Sequence, residues 1–419
     1  VYWAGRRVFT RGIGLSAALI LATSIGFFGL ARAASTDMPL TASLTAALAF
    51  FLVGNESSGK SRRWNFYAFY AAMGFGVLAK GPVAIVLPAF ALVLFLIWRG
   101  RKGEWKSWHP EGILVTALVA GPWYAAVTWA NGWEFINVFI LEHNFGRFTS
   151  EVYGHEQPFY FYVPVLLLMM FPWSFLIIPA LLRRFARNEQ LIMMWALAPF
   201  IFSSLSGSKL PAYVLPMVPP LALLGARELA RRGSVLSFRI VAICQAALWV
   251  GVGIAFGFFG DQINIDIAVN GMVILAVALA MAAALISIGV WLPPAAFGTL
   301  NVVTITVLVF VLSSAVFPRI QSVESMRPWE TELNRFISES QDVVLYRPRP
   351  WMEYGLEYYR GRHVETALSE EELTALATPT RALCITESGM LDELSTSEGV
   401  AIEVVHSMGD QAAFWFWLP

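Results

Sequence analysis

The stretch "FYAAMGFGVLAKGPVAIVLPAFALVLFLIWRGRK", residues 69–102, decides what kind of molecule this is. Apolar residues fill 66–79 and again 82–98; Lys80 stands alone in the turn between them, and Arg99, Arg101 and Lys102 crowd the far end. A membrane-spanning helix needs about 20 mostly apolar residues. Two apolar runs around a nearly uncharged turn, closed by a basic cluster, read as a helical hairpin crossing a bilayer twice. The rest of the chain repeats the pattern. Further runs lie near 13–33, 38–54, 112–130, 159–182, 190–206, 212–226, 240–260, 267–290 and 295–317, so the sequence predicts about eleven spans. Composition agrees: 57% of the 419 residues are hydrophobic and 14% charged, against about 45–50% and about 25% in soluble domains.

Basic residues fix the orientation. Arg6, Arg7 and Arg11 precede the first run, and clusters follow alternate runs at 60–63, 99–106, 183–187 and 227–239. The intervening short loops hold Arg32, Lys80, Arg147 and Lys209 alone. The positive-inside rule makes the first set cytoplasmic and the second external. The 29 basic and 29 acidic residues cancel overall, so no nucleic-acid partner is implied. Cys244 and Cys384 have neither metal-ligand nor disulfide spacing and read as ordinary buried thiols. The first residue is Val1, with no signal segment after it, which reads as a chain whose true start lies upstream.

After Phe317 the composition changes. "RPWETELNRFISES" places Trp329, Leu333, Phe336 and Ile337 at helical spacing; "DVVLYR", "ALCIT", "IEVVHSM" and "AAFWFWL" read as strands, and "SEEELTALA" as a helix. The expected organisation is therefore an all-α polytopic membrane domain over 1–317 and a small α/β domain over 318–419, external because eleven spans follow a cytoplasmic start.

Four external points combine polar groups with helix ends: "ASTDMPL" with Asp37, "LAKGP" with Lys80, the loop "FILEHNFGRFTSEVYGHEQPFYFY" with His143 and Arg147, and "SGSKLPAY" with Lys209 and Tyr213. Ionisable groups near membrane depth cost about 2.5–3.5 kcal/mol each on insertion scales, which favours a functional reason for keeping them. Each alone is equally explained as an interfacial anchor. All four on one side suggest a shared external site. Cations converging near one carboxylate suit a phosphate, Arg as a bidentate fork and Lys as a point charge. Asp37 could orient or deprotonate a hydroxyl, or answer a positive charge. Trp133, Tyr153, Tyr160 and Tyr162 could stack on sugars, although an aromatic belt accounts for most of them. Glu142 and His143 are adjacent and do not face the same way on a helix, so a metal there needs ligands from elsewhere.

"TDMPLTASLTAALAFF", "GFGVLAKGPVAIVLP", "EHNFGRF", "PFYFYVPVLLLMMFPWSFL" and "SLSGSKLPAYVLPMVPPLALL" resemble the bacterial membrane glycosyltransferases related to the aminoarabinose transferase of lipid A and, more distantly, the protein O-mannosyltransferases. The likeness runs in order from about residue 10 to about residue 230. It implies the C-type glycosyltransferase bundle and transfer, with inversion, of a sugar from a polyprenyl-phosphate carrier to a lipid, glycan or protein acceptor on the external face of the inner membrane. It also implies roles: Asp37 as an acidic residue facing the active site; Lys80, Arg147, Lys209 and Tyr213 around the carrier phosphate; His143 as a ligand where a divalent metal binds. The family's principal carboxylate lies in a loop that this chain does not include, so the chain alone is expected to be inactive. The rival reading is a lipid transporter or flippase, but its usual inverted repeats and midplane polar groups are not apparent here.

Overall fold

The computed structural model describes residues 1–33, 35–100, 108–137, 157–181, 184–231, 294–311, 325–337, 342–377, 381–391, 401–408 and 411–417, with isolated positions between 239 and 254 and at 281, 313 and 394. The chain forms two units, Val1–Phe259 with Val269–Val309, and Gly260–Ala268 with Phe310–Pro419.

The first unit is helical. It comprises α1 (Tyr2–Val8), α2 (Arg11–Ala22), α3 (Ile25–Arg32), α4 (Asp37–Glu56), α5 (Gly59–Lys80), α6 (Val83–Arg99), α7 (Ile113–Ile136), α8 (Tyr162–Met169), α9 (Ile177–Leu181), α10 (Arg187–Leu205), α11 (Val218–Ala230) and α12 (Pro294–Val311). Local chemistry sets the ends. α5 stops at Lys80 because Gly81 takes a left-handed φ of 77° and Pro82 opens the next turn. α6 ends on Gly100 at φ 64°, the left-handed cap that glycine accepts without strain.

Two helices break at hydroxyl-rich or 3₁₀ turns. Thr23 and Ser24 return their hydroxyls to the Leu19 and Ile20 carbonyls at 2.6 and 2.7 Å, and the chain bends by 62° into α3. A 112° bend separates α8 from the Ser174–Leu176 turn and α9. The two breaks satisfy each other: the Ile25 amide donates to the Phe171 carbonyl at 2.9 Å, and Trp173 Nε1 donates to Thr23 Oγ1 at 2.9 Å. Gly26 permits this, since a Cβ there would meet Met169 Cα at 2.4 Å.

The expected eleven spans are not confirmed among the described residues. Among the described residues two helices are long and apolar enough to cross a membrane, or up to four if each bent pair counts as one span. Composition alone does not see a bend. The apolar run 13–33 is two helices, as is 159–182, and α5 carries Lys60, Arg62 and Arg63 in its first turns.

Packing sorts the polar residues of this unit to two ends. Arg227 lies 5.3 Å above the Phe9 ring and pairs at 3.2 Å with Glu189, a buried carboxylate that also accepts the Ala186 amide at 2.9 Å. Trp98 meets Phe185 at 5.9 Å, Phe51 meets Trp108 at 4.9 Å, and Phe66 meets His109 at 5.9 Å. The clusters 6–11, 60–63, 184–187 and 227–231, together with Arg99, therefore share one end. α4, α5 and α6 run alternately from there to the opposite end, which holds Asp37 and Lys80.

The second unit is an α/β sandwich. Its sheet has the order β2 (Glu365–Ala367), β1 (Val343–Tyr346), β3 (Ala382–Glu387), β5 (Gln411–Trp417), β4 (Ala401–Met408), parallel across β2, β1 and β3 and antiparallel across β3, β5 and β4. Alternation along the strands makes two cores. Val343, Leu345, Leu383 and Ile385 pack under α13 (Arg327–Phe336) and α14 (Pro350–Arg360) through Trp329, Leu333, Met352 and Leu356. Val344, Tyr346, Cys384 and Phe414 pack against α15 (Glu370–Leu376) through Leu373. β1 has no polar residue because both of its faces are covered. β2 and α14 escape the sequence reading: the strand has three residues, and α14 puts Tyr354 and Tyr358 on its exposed side. Cys384 is buried, whereas Cys244 is only partly so, a correction to the reading of both as buried thiols.

Candidate functional site

Asp37 is the first residue of α4, where a carboxylate is favoured by the helix dipole. Ser35 holds it there: its hydroxyl accepts the Asp37 amide at 3.2 Å and donates to Asp37 Oδ2 at 3.2 Å. Oδ1 receives the ammonium of Lys80, the last residue of α5. This pair joins two helix ends that are 43 residues apart in sequence, and both side chains keep some access to solvent, 28% for Lys80 and 16% for Asp37.

Lys80 has a second neighbour. Its Nζ lies 5.2 Å from the centre of the Tyr213 ring, a cation–π distance. Tyr213 comes from the 3₁₀ segment Pro211–Met217, which packs against α4 and α10. Lys209, four residues earlier, donates to the Ser206 carbonyl at 2.9 Å and so caps the C-terminal end of α10. Its ammonium is thus held beside the Tyr213 segment rather than left to the solvent.

Of the residues singled out in the sequence, Asp37, Lys80 and Tyr213 meet, and Lys209 stands in the turn that delivers Tyr213. His143 and Arg147 lie outside the described residues. Among the described residues no three His, Cys, Asp or Glu side chains are grouped to hold a metal. The aromatic residues read together separate in space: Trp133 and Tyr160 are 77% and 56% exposed, while Tyr162 is completely buried. Tyr153 lies outside the described residues.

Two residues escape the sequence reading, and a third, Tyr162, was read only as one of several aromatics. Ser35 was visible as the hydroxyl two positions before an aspartate at a helix start, a capping signal. Tyr124, whose hydroxyl donates to the Val77 carbonyl at 3.1 Å one turn before Lys80, sits in an apolar run with no local mark. Tyr162 ends a run of four consecutive aromatic residues, Phe159 to Tyr162, which gives none of them a distinguishing mark. Chemically, the cluster offers a carboxylate, ammonium groups and a phenol at one end of a helical bundle, a set suited to a phosphorylated ligand and a hydroxyl or amine brought near it.

A family model described as dolichyl-phosphate-mannose-protein mannosyltransferase matches residues 1–125, which include Asp37 and Lys80. The solved structure of ArnT from Cupriavidus metallidurans bound to undecaprenyl phosphate superposes with a TM-score of 0.79 over 99% of this chain and 80% of that one, at 21% identity. The chain shares the fold of that transferase. The undecaprenyl phosphate-alpha-4-amino-4-deoxy-L-arabinose arabinosyl transferase of Edwardsiella ictaluri is 31% identical over 244 residues, 55% of this chain and 43% of that protein. Its namesake from Aeromonas salmonicida is 30% identical over 279 residues, 62% of this chain and 50% of that protein. The apo form of the Cupriavidus protein superposes with a TM-score of 0.68 at the same identity. The chain spans about half the length of the curated relatives it matches. None of these relatives is a transporter by name.

Proposed function

We propose that this chain acts as an inner-membrane glycosyltransferase that moves a sugar, a pentose such as an aminoarabinose in the first instance, from a polyprenyl-phosphate carrier to an acceptor on the external face. The observation that carries this reading is the meeting of Asp37, Lys80 and Tyr213 at the end of the helical unit opposite its basic clusters. The positive-inside rule puts that end outside the cytoplasm, where no nucleotide sugar is at hand and a lipid-linked donor is needed. The similarity to transferases named for undecaprenyl phosphate supports the carrier.

In this reading Lys80 and Lys209, with Arg147 from the loop, neutralise the carrier phosphate as it departs, and Tyr213 packs beside it. Asp37 holds Lys80 in place and takes part in orienting the acceptor, whether a lipid such as lipid A, a glycan or a protein. His143 is the ligand to examine if a divalent metal takes part. The same reading expects the C-terminal domain, residues 318–419, outside the cytoplasm.

The test is transfer from undecaprenyl-phosphate-linked aminoarabinose in vesicles carrying the full-length protein. Asp37→Asn and Lys80→Met should each lower turnover at least about a hundredfold, the scale of losing a preorganised charged group. Turnover within a few-fold of the parent in both would overturn the reading.

A further inference from the structure

Tyr162 opens α8 with its side chain fully buried; its oxygen lies within reach of the Leu210 backbone, but its hydroxyl hydrogen meets no acceptor in the protein. Burying a hydroxyl without a partner is costly, and a membrane core offers no water to relieve it. A phenylalanine would fill the same space without that cost, so packing alone does not explain a tyrosine here. Its surroundings suggest what it waits for. α8 packs against the Pro211–Met217 segment, and the phenol lies beside the Leu210 backbone and the Tyr213 side chain. The turn leading into that segment holds a second orphan: Ser208 is 2% exposed, and its Oγ is likewise unpartnered. Lys209 separates the two, and Tyr213 carries the chain of contacts on to Lys80.

We propose that Tyr162 is a ligand-binding residue of this site, whose hydroxyl donates to a phosphate oxygen of the lipid carrier, with Ser208 as the neighbouring donor. The phosphate is favoured over a sugar hydroxyl because the turn beside the phenol carries the Ser208 hydroxyl and Lys209, and Tyr213, its neighbour, lies under the Lys80 ammonium. An anion answers all of them at once. This assignment rests on the carrier reading above.

The sign of the effect separates a binding role from a structural one. If the hydroxyl serves only a bound phosphate, Tyr162→Phe leaves the unliganded protein as stable as the parent or more so, because an unsatisfied buried group has been removed. Affinity for the phosphate should fall about tenfold or more, as for the loss of a hydrogen bond to a charged group. The experiment measures thermal unfolding of the full chain in detergent, titrated with undecaprenyl phosphate and, separately, with undecaprenol. The expected result is a parent stabilised by the phosphate and not by the alcohol, with Y162F needing about tenfold more phosphate for the same shift, and Ser208→Ala moving the same way. Parent and Y162F responding alike to the phosphate overturns this assignment and leaves the carrier reading intact. Equal stabilisation of the parent by phosphate and alcohol overturns it too, since the lipid tail would then account for binding. A parent that responds to neither overturns both readings.

Discussion

Glu189 and the Asp37–Lys80 pair show how differently single charges are used at the two ends of the helical unit. Glu189 is buried, accepts the Ala186 amide and faces Arg227 and Arg231 at 3.2 and 3.8 Å. Replacing it with Gln should lower stability by about 1–3 kcal/mol, because two charge-assisted contacts weaken at once. Thermal unfolding in detergent would show this as a lower midpoint with donor binding unchanged. Lys80→Met should behave in the opposite way. The pair is partly solvated, so its loss should cost roughly 1 kcal/mol or less in stability while transfer collapses, a separation read from unfolding and turnover on the same preparation. How much of this was legible follows from the residues themselves. Asp37 and Lys80 stand out because a charge in an apolar chain is conspicuous, and Tyr213 because it follows Lys209 in a polar break. Tyr124 was not legible, and Tyr162 only as one of several aromatics: a tyrosine among aromatic residues gives the same local pattern whether it faces lipid, a helix end or a ligand.

At the scale of elements, close approach and capping decide the geometry. α1 and α2 meet through Gly5 and Gly14, where a Cβ on Gly14 would lie 2.6 Å from the Tyr2 carbonyl and 2.7 Å from the Arg6 amide. Both obstacles are backbone, so Gly14→Ala must push the helices apart. A lower unfolding midpoint, together with weaker fixation of the basic end detected by proteolysis near residues 6–11, is the expected outcome; an unchanged midpoint would contradict the packing. In the second unit the turn after α14 depends on Glu357, which accepts the Val364 amide at 3.2 Å and pairs with His363. The amide bond first, and His363 after it, hold the Glu357 carboxyl below its ordinary value of 4.5. A depressed carboxylate stabilises the fold above its ordinary titration range and loses that contribution as pH falls through the lowered value. Glu357→Gln should therefore reduce the difference in stability of this unit between pH 6 and pH 3, followed by tryptophan fluorescence in the full chain. β2, at three residues, lies below what periodicity can resolve.

For the whole molecule, the sorting of basic clusters to one end of the helical unit leads to a topological expectation: a reporter joined after Pro419 should be active outside the cytoplasm. Activity confined to the cytoplasm would contradict it. Helical character and a C-terminal sheet could be read from the sequence pattern, but the bend at Thr23–Ser24 could not, because hydropathy averages over a window. That bend also bears on biogenesis. The Ile25 amide and the Thr23 hydroxyl find Phe171 and Trp173 only after the ribosome has delivered α8 to the bilayer. Until then the first bent segment sits in lipid with its kink unsealed, dependent on the translocon or on residual water for shelter. Nascent chains arrested before Phe171 should accordingly be degraded faster by membrane quality control than chains arrested after α9. On that outcome the latch between the two breaks would be a checkpoint in assembly, the later segment licensing the earlier one to stay.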